Sequence, residues 1–192
     1  MPQERDWSKL RLKDRIQPGV RVLFVGINPG VRSALTGHHF AGPSNRFWKL
    51  LCESALVPER ISYEDDVRLP EWGYGITNLV PRPSPGIDDL KPAEYVAGWD
   101  GLQRKIRRFR PQVVALVGVT LYRAILPLVA PSAPRGRALR LVATGLQPIA
   151  IHGAQVFVLP NPSGRNANFS YAEMLDAFRA LQRLLQSSTK QA

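Results

Sequence analysis

Short apolar runs alternate with amphipathic stretches along most of the chain. "VRVLFVG" (20–26), "VVALVG" (113–118) and "QVFVLP" (155–160) carry few polar positions and are too short for helices, so they predict buried strands. "YGITNLV" (74–80) and "LQPIAI" (146–151) are weaker strand candidates. Between them the apolar period lengthens to that of a helix. "PAEYVAGWDGLQRKIRRF" (92–109) places Trp99, Leu102, Ile106 and Phe109 on one stripe. "SYAEMLDAFRALQRLLQ" (170–186) does the same with Met174, Leu175, Phe178, Leu181 and Leu185, and Ser170 with Glu173 forms a capping box ahead of it. "SNRFWKLLCESA" (44–55), opening on Ser44 or Asn45 as cap and burying Phe47, Leu50 and Leu51, and "VTLYRAILPLV" (119–129) complete the helical set.

Strands that alternate with helices imply an α/β fold, an open parallel sheet covered on both faces. Ligands of such sheets bind outside the carboxyl ends of the strands. Two similar turns fall there: "GINPG" (26–30) after the first strand and "NPSGRN" (161–166) after the last clear one. Each joins Asn, Pro and Gly, and the expectation is that both close on one crevice.

The 192 residues suit one domain, taken as 18–186, with an N-terminal extension (1–17) and a short frayed tail (187–192). "APSAPRGRALR" (130–140) reads as an irregular surface loop with three arginines, and "VPRPSPGIDDLKP" (80–92) as a proline-rich connection.

Composition narrows the partners. Hydrophobic residues make up 44% and charged residues 21%, as in soluble globular proteins. No apolar stretch approaches the roughly 20 residues of a membrane span. The N-terminus lacks a secretory apolar core, so an intracellular, cytoplasmic protein is expected. One cysteine, Cys52, and three histidines, His38, His39 and His152, offer no set of metal ligands. Lys and Arg total 26 against 15 Asp and Glu, a net charge of +11 that favours a polyanionic partner, nucleic acid first.

Three blocks then stand together: "GINPGVRSALTGHHFAGPSNRFWKLL" (26–51), "YGITNLVPRPSPG" (74–86) and "LPNPSGRNA" (159–167). In order and spacing, from about residue 18 to about 185, they resemble the mismatch-specific uracil/thymine-DNA glycosylases of the uracil-DNA glycosylase superfamily. The resemblance implies a three-layer α/β/α sandwich around a short, mainly parallel sheet. It implies hydrolysis of the N-glycosidic bond of a uracil flipped out of double-stranded DNA, chiefly from G·U pairs, by a monomer without cofactor or metal. No lysine occupies the nucleophile position in either motif, so the product would be an abasic site in an uncut strand.

Carried over residue by residue, the resemblance places Asn28 at the attacking water. An amide holds water near C1′ but is too weak a base to deprotonate it, so catalysis would rest on positioning and electrostatics. Gly26, Ile27, Pro29 and Gly30 fall in the base pocket, Pro29 and Gly30 shaping its turn, and the Ile27 and Phe40 N–H groups resemble those that contact the base. Phe40 matches the ring that stacks on the extruded pyrimidine, and Ser33 lies at its C5 edge. Asn45 fits two readings, helix cap and pocket amide. Asn161 falls at the pocket; Pro162, Ser163, Gly164, Arg165 and Asn166 fall in the loop that penetrates DNA. The fast uracil-specific branch carries an aspartate and a histidine where this chain has Asn28 and Asn161, which implies a slower, more permissive enzyme. Arg165 departs from the leucine of several bacterial relatives and resembles the thymine-removing branch.

Asp88 and Asp89 are the nearest carboxylates that could assist the water, Asp88 slightly favoured, but acids before a helix start also explain them. "RKIRRFR" (104–110) reads as a solvated basic face or as a phosphate track. Two rival functions stay open at this point: a non-catalytic nucleic-acid-binding member of the fold, and a hydrolase of free nucleosides or nucleotides.

Overall fold

The structure, a computed structural model, describes residues 6–130 and 144–189, with side chains to residue 187. Nearly all of the loop expected at 130–140, and the last three residues of the tail, lie outside the described residues. Among the described residues five strands, β1 (Val22–Gly26), β2 (Tyr74–Asn78), β3 (Val113–Val117), β4 (Gly145–Ile151) and β5 (Ala154–Leu159), form one sheet in the order β2-β1-β3-β5-β4. The unbroken apolar runs are the central strands: every residue of β1 and β3 is buried. Pairing is parallel from β2 through β5.

The fourth strand breaks the expected parallel pattern. β4 runs antiparallel to β5 on an edge of the sheet. Only His152 and Gly153 separate the two strands, both with positive φ (49° and 87°), a geometry that folds a hairpin and leaves no length for a crossover. Pro148 is tolerated in β4 because that strand is an edge.

Among the described residues five α-helices cover the sheet: α1 (Val31–Thr36), α2 (Phe47–Glu53), α3 (Pro92–Phe109), α4 (Val119–Val129) and α5 (Tyr171–Thr189). One face of the sheet, with Phe24, Ile76, Ala115 and Phe157, packs against Phe47, Leu50 and Leu51 of α2 and Met174, Phe178 and Leu181 of α5. The other, with Leu23, Val25, Val114, Leu116 and Val156, packs against Trp99, Leu102 and Ile106 of α3 and Leu121 and Ile125 of α4. The result is a three-layer α/β/α sandwich. Truncating one of these fully buried leucines to alanine costs roughly 2–5 kcal/mol. The capping box of α5 is formed, Ser170 N–H to Glu173 Oε2 at 2.7 Å and Glu173 N–H to Ser170 Oγ at 3.2 Å. That helix runs on to Thr189, through residues expected to fray.

Lys13, Asp14 and Arg15, ahead of the expected domain start at 18, are tied to the packed body. Arg15 exchanges backbone hydrogen bonds with Ile76 on the outer edge of β2, at 3.0 and 2.9 Å. Among the described residues no helix is long and apolar enough to cross a membrane.

Candidate active site

The chain leaves β1 at Gly26 and turns across the carboxyl ends of the strands. Behind it, the segment after β2 is laced to the turn: Leu79 N–H bonds Gly26 O at 2.8 Å, Val80 N–H bonds Ile27 O at 2.8 Å and Ser84 N–H bonds Pro29 O at 3.1 Å. Glycine is required at 26 by contact: a Cβ there would meet Asn78 Oδ1 at 2.6 Å and Phe40 Cζ at 3.3 Å.

Asn28 sits half-buried in this double turn. Its Nδ2 donates to Ser84 Oγ (2.8 Å), Pro29 O (3.2 Å) and Arg82 O (3.3 Å). Two of these partners are carbonyls, which only accept, so the amide orientation is determined and Oδ1 is left as an acceptor for a ligand. Arg82 is itself clamped, its Nε and Nη2 on the two carboxylate oxygens of Glu94 at 2.7 and 2.9 Å. That pair draws the Glu94 carboxyl down to about 2.

The wall opposite is the segment after α1. Gly37 ends α1 in the left-handed conformation, and Phe40 follows with φ 52°, a strained value for a non-glycine that costs of order 1–3 kcal/mol. The strain is held by surrounding contacts. Phe40 stacks on Phe47 at 4.3 Å, Ser33 Oγ accepts the Ala41 N–H at 3.1 Å, and Trp48 Nε1 donates to His39 O at 3.0 Å. Asp66, fully buried, takes the His39 N–H on Oδ2 (2.9 Å) and holds Arg15 Nε (3.1 Å) and His38 Nδ1 (3.0 Å) on Oδ1. Burial pushes the His39 ring below the usual histidine range.

The third wall is the corner after β5. Asn161 Oδ1 accepts the Ser163 N–H (3.1 Å), Ser163 Oγ accepts the Arg165 N–H (3.3 Å), and Asn166 Nδ2 returns to Asn161 O (2.8 Å). The loop is docked on the start of α2: Pro162 O takes the Arg46 N–H at 2.9 Å, and a Cβ on Gly164 would meet Ser44 O at 2.7 Å.

These walls enclose one cleft of about 750 Å³, lined by Ile27, Asn28, Pro29, Gly30, Ser33, Phe40, Asn45, Asp88, Asn161, Ser163 and Arg165 among others. The two Asn-Pro corners therefore share a single hollow. Gly26 and Gly164 serve it through close packing, and buried Pro162 through its carbonyl. Asn166 lines an adjoining depression of about 310 Å³ that shares Asn161, Ser163 and Arg165, so the exposed Arg165 stands on the ridge between the two.

Three readings left open find their local partners. Asn45 spends its Oδ1 on the Phe47 N–H at 2.9 Å, so the cap reading accounts for its oxygen even though the residue lines the cleft. Asp89 caps its own turn through the Gly86 N–H at 3.0 Å, whereas Asp88 is exposed on the cleft rim. The "RKIRRFR" segment ends α3 where the chain enters β3: Arg107, beside His152 of the β4–β5 turn, lies at the pole opposite the cleft, whereas Lys105 reaches Thr77 Oγ1 at 2.8 Å, next to Asn78.

Sequence reasoning missed Asn78, Ser84 and His39, all of which line the cleft. The rule that singled out Asn28, an asparagine at the carboxyl end of a parallel strand, applies equally to Asn78 at the end of β2. Among the described residues no three or more His, Cys, Asp or Glu side chains are gathered to hold a metal ion.

Comparison with known proteins agrees with this fold. The family model of the uracil DNA glycosylase superfamily matches residues 14–184. The solution NMR structure of a candidate uracil DNA glycosylase from Methanosarcina acetivorans superposes with a TM-score of 0.59 at 19% identity, covering 91% of this chain and 98% of that one. At that identity the likeness concerns the fold.

Proposed function

The chain belongs to the uracil DNA glycosylase superfamily, and on that premise we propose that it is a monofunctional, mismatch-specific uracil-DNA glycosylase acting on G·U pairs in double-stranded DNA. The observation that carries the reading is the anchored amide of Asn28 facing a cleft that the Asn161 corner closes. A uracil inside a duplex is out of reach, so the nucleotide swings out into the cleft. The exposed Arg165 loop enters the space it leaves. Phe40 covers the base, with Asn78 and Asn161 as the amides within reach of its polar edge.

The reaction is a hydrolysis. The water oxygen bonds to C1′ while the C1′–N1 bond breaks, and the bonding pair leaves with the base. One water proton passes to solvent and the base is neutralised by another. Asn28 Oδ1 accepts a hydrogen bond from the water and holds it in line; it takes no proton. Holding reactants in such geometry lowers a barrier by up to about 7–11 kcal/mol. Asp88, exposed on the rim, is the carboxylate we assign to assist the water. The chain works as a monomer and without cofactor, and the +11 charge draws it to DNA.

The test is base release from oligonucleotides carrying one uracil opposite guanine, opposite adenine or unpaired. Free uracil, fastest from the G·U duplex, with strand breakage only after alkali, supports the proposal. Binding without release favours the non-catalytic reading. Release from free deoxyuridine that Arg165→Ala leaves unchanged favours the nucleoside hydrolase.

A further inference from the structure

We propose that His39 is a positioning residue that locks the amide polarity of Asn78, and thereby selects the base edge that the cleft reads. The inference deepens the uracil reading and rests on it.

The lock starts at a backbone carbonyl. His39 Nε2 lies 3.0 Å from Lys13 O, and a carbonyl only accepts, so Nε2 carries the proton. In the neutral ring Nδ1 is then a bare acceptor. Its neighbour is Asn78 Nδ2 at 3.4 Å, which donates to it. The Asn78 Oδ1 is thereby directed to the Gly26 side, where only a glycine leaves room for it. Lys13, which precedes the core motifs, thus sets the orientation of an amide inside the cleft through one imidazole.

A planar amide offers an acceptor at one end and a donor at the other. A uracil edge pairs a ring N–H with a carbonyl; a cytosine edge pairs a bare ring nitrogen with an amino group. One amide polarity matches the first and the reversed polarity matches the second. Protonating His39 puts a hydrogen on Nδ1 while Lys13 O keeps Nε2–H. The ring then needs an acceptor at Nδ1, and Asn78 turns its oxygen there.

The ring is held neutral by its surroundings. It is 1% exposed, and burial opposes the cation. The Lys13 carbonyl, Asp66 on the His39 backbone N–H, and Asp14 favour the cation, and Arg15 opposes it. Asp14 is paired with Lys105 at 2.7 Å and Asp66 with Arg15 and His38, which blunts both carboxylates. Protonation therefore falls on the acid side of the ordinary value of 6.5.

The experiment combines two readouts on the full chain. Long-range proton–nitrogen NMR of the histidine-labelled protein reports the His39 tautomer and its titration. Single-turnover uracil release from the G·U duplex is followed from about pH 5 to about pH 9. We expect the Nε2–H tautomer at neutral pH, and an acid limb of uracil release whose midpoint coincides with the NMR midpoint of His39. His39→Asn, whose amide oxygen occupies the Nδ1 position, should keep uracil release and lose the acid limb. His39→Gln, which reproduces only Nε2, should lower release about tenfold, as expected for one lost hydrogen bond. An Nδ1–H tautomer, an acid limb displaced from the His39 midpoint, or an unchanged limb in His39→Asn each overturns the lock. If no substrate releases uracil at any pH, the glycosylase reading fails, while the tautomer still decides whether the carbonyl–imidazole–amide relay exists.

Discussion

Asn28 Nδ2 donates to Ser84 Oγ at 2.8 Å, and the Ser84 hydroxyl in turn donates to the Gly86 carbonyl. This order matters, because a serine whose proton is committed elsewhere presents only a lone pair to Asn28. The relay, with the Pro29 and Arg82 carbonyls, fixes which end of the Asn28 amide faces the cleft.

Ser84→Ala removes the shortest of the three anchors and leaves the two carbonyls at 3.2 and 3.3 Å. Single-turnover uracil release should fall between about tenfold and a hundredfold, the size expected when a catalytic group loses its alignment. Ser84→Thr retains the hydroxyl and should recover most of the rate. Equal losses in both variants would show that packing, and not the hydrogen bond, is what Ser84 supplies.

Gly164→Ala drives a methyl group into the Ser44 backbone, where the carbonyl oxygen stands 2.7 Å from the new Cβ. Neither backbone can yield without moving the loop. Overpacking of this kind costs typically 1–3 kcal/mol. Thermal denaturation should register that loss, and excision from duplex DNA should fall with it.

How much of this was legible beforehand follows from where each contact comes from. The buried strands announced themselves because β1 and β3 have no exposed face, so their sequences carry no polar alternation. The two Asn-Pro corners were visible for a similarly local reason, since each sits directly after such a strand. The Lys13–His39–Asn78 chain was not visible. It joins three segments far apart in sequence, and its logic depends on a backbone carbonyl that no side-chain pattern encodes. Asp66 escaped notice for the same reason: an aspartate in a polar ten-residue stretch gave no sign that three partners would bury it completely. The direction of β4 was open to reading, because two residues between strands admit only a hairpin.

The opposite pole offers a control. Arg107→Glu combined with Arg108→Glu changes charge at the end of α3 remote from the cleft, so it should alter excision only slightly at physiological salt. Arg165→Ala should weaken duplex binding and reduce the slope of log affinity against log salt by about one. A larger effect from the α3 variant than from Arg165→Ala would place the DNA on the wrong side of this description.

The Arg82–Glu94 clamp has an acid signature. Arg82 holds the Glu94 carboxyl at about 2, below its ordinary 4.5, so the folded form binds that proton less readily than the unfolded chain. The stabilisation is therefore complete above about 4.5 and is lost as the pH falls toward 2. Acid unfolding of Glu94→Gln should lack this component, and the comparison of denaturation midpoints at neutral and acid pH measures it. An identical pH dependence in both proteins would remove the clamp from the account.

In the proposed reaction Asn28 holds the attacking water through its Oδ1, and Asn28→Ala assayed on a G·U duplex is the decisive variant. Release of uracil under single-turnover conditions should fall by at least about a hundredfold, while affinity for the same duplex stays within a few-fold of the parent protein. Turnover in that variant at the parent rate would contradict the assignment.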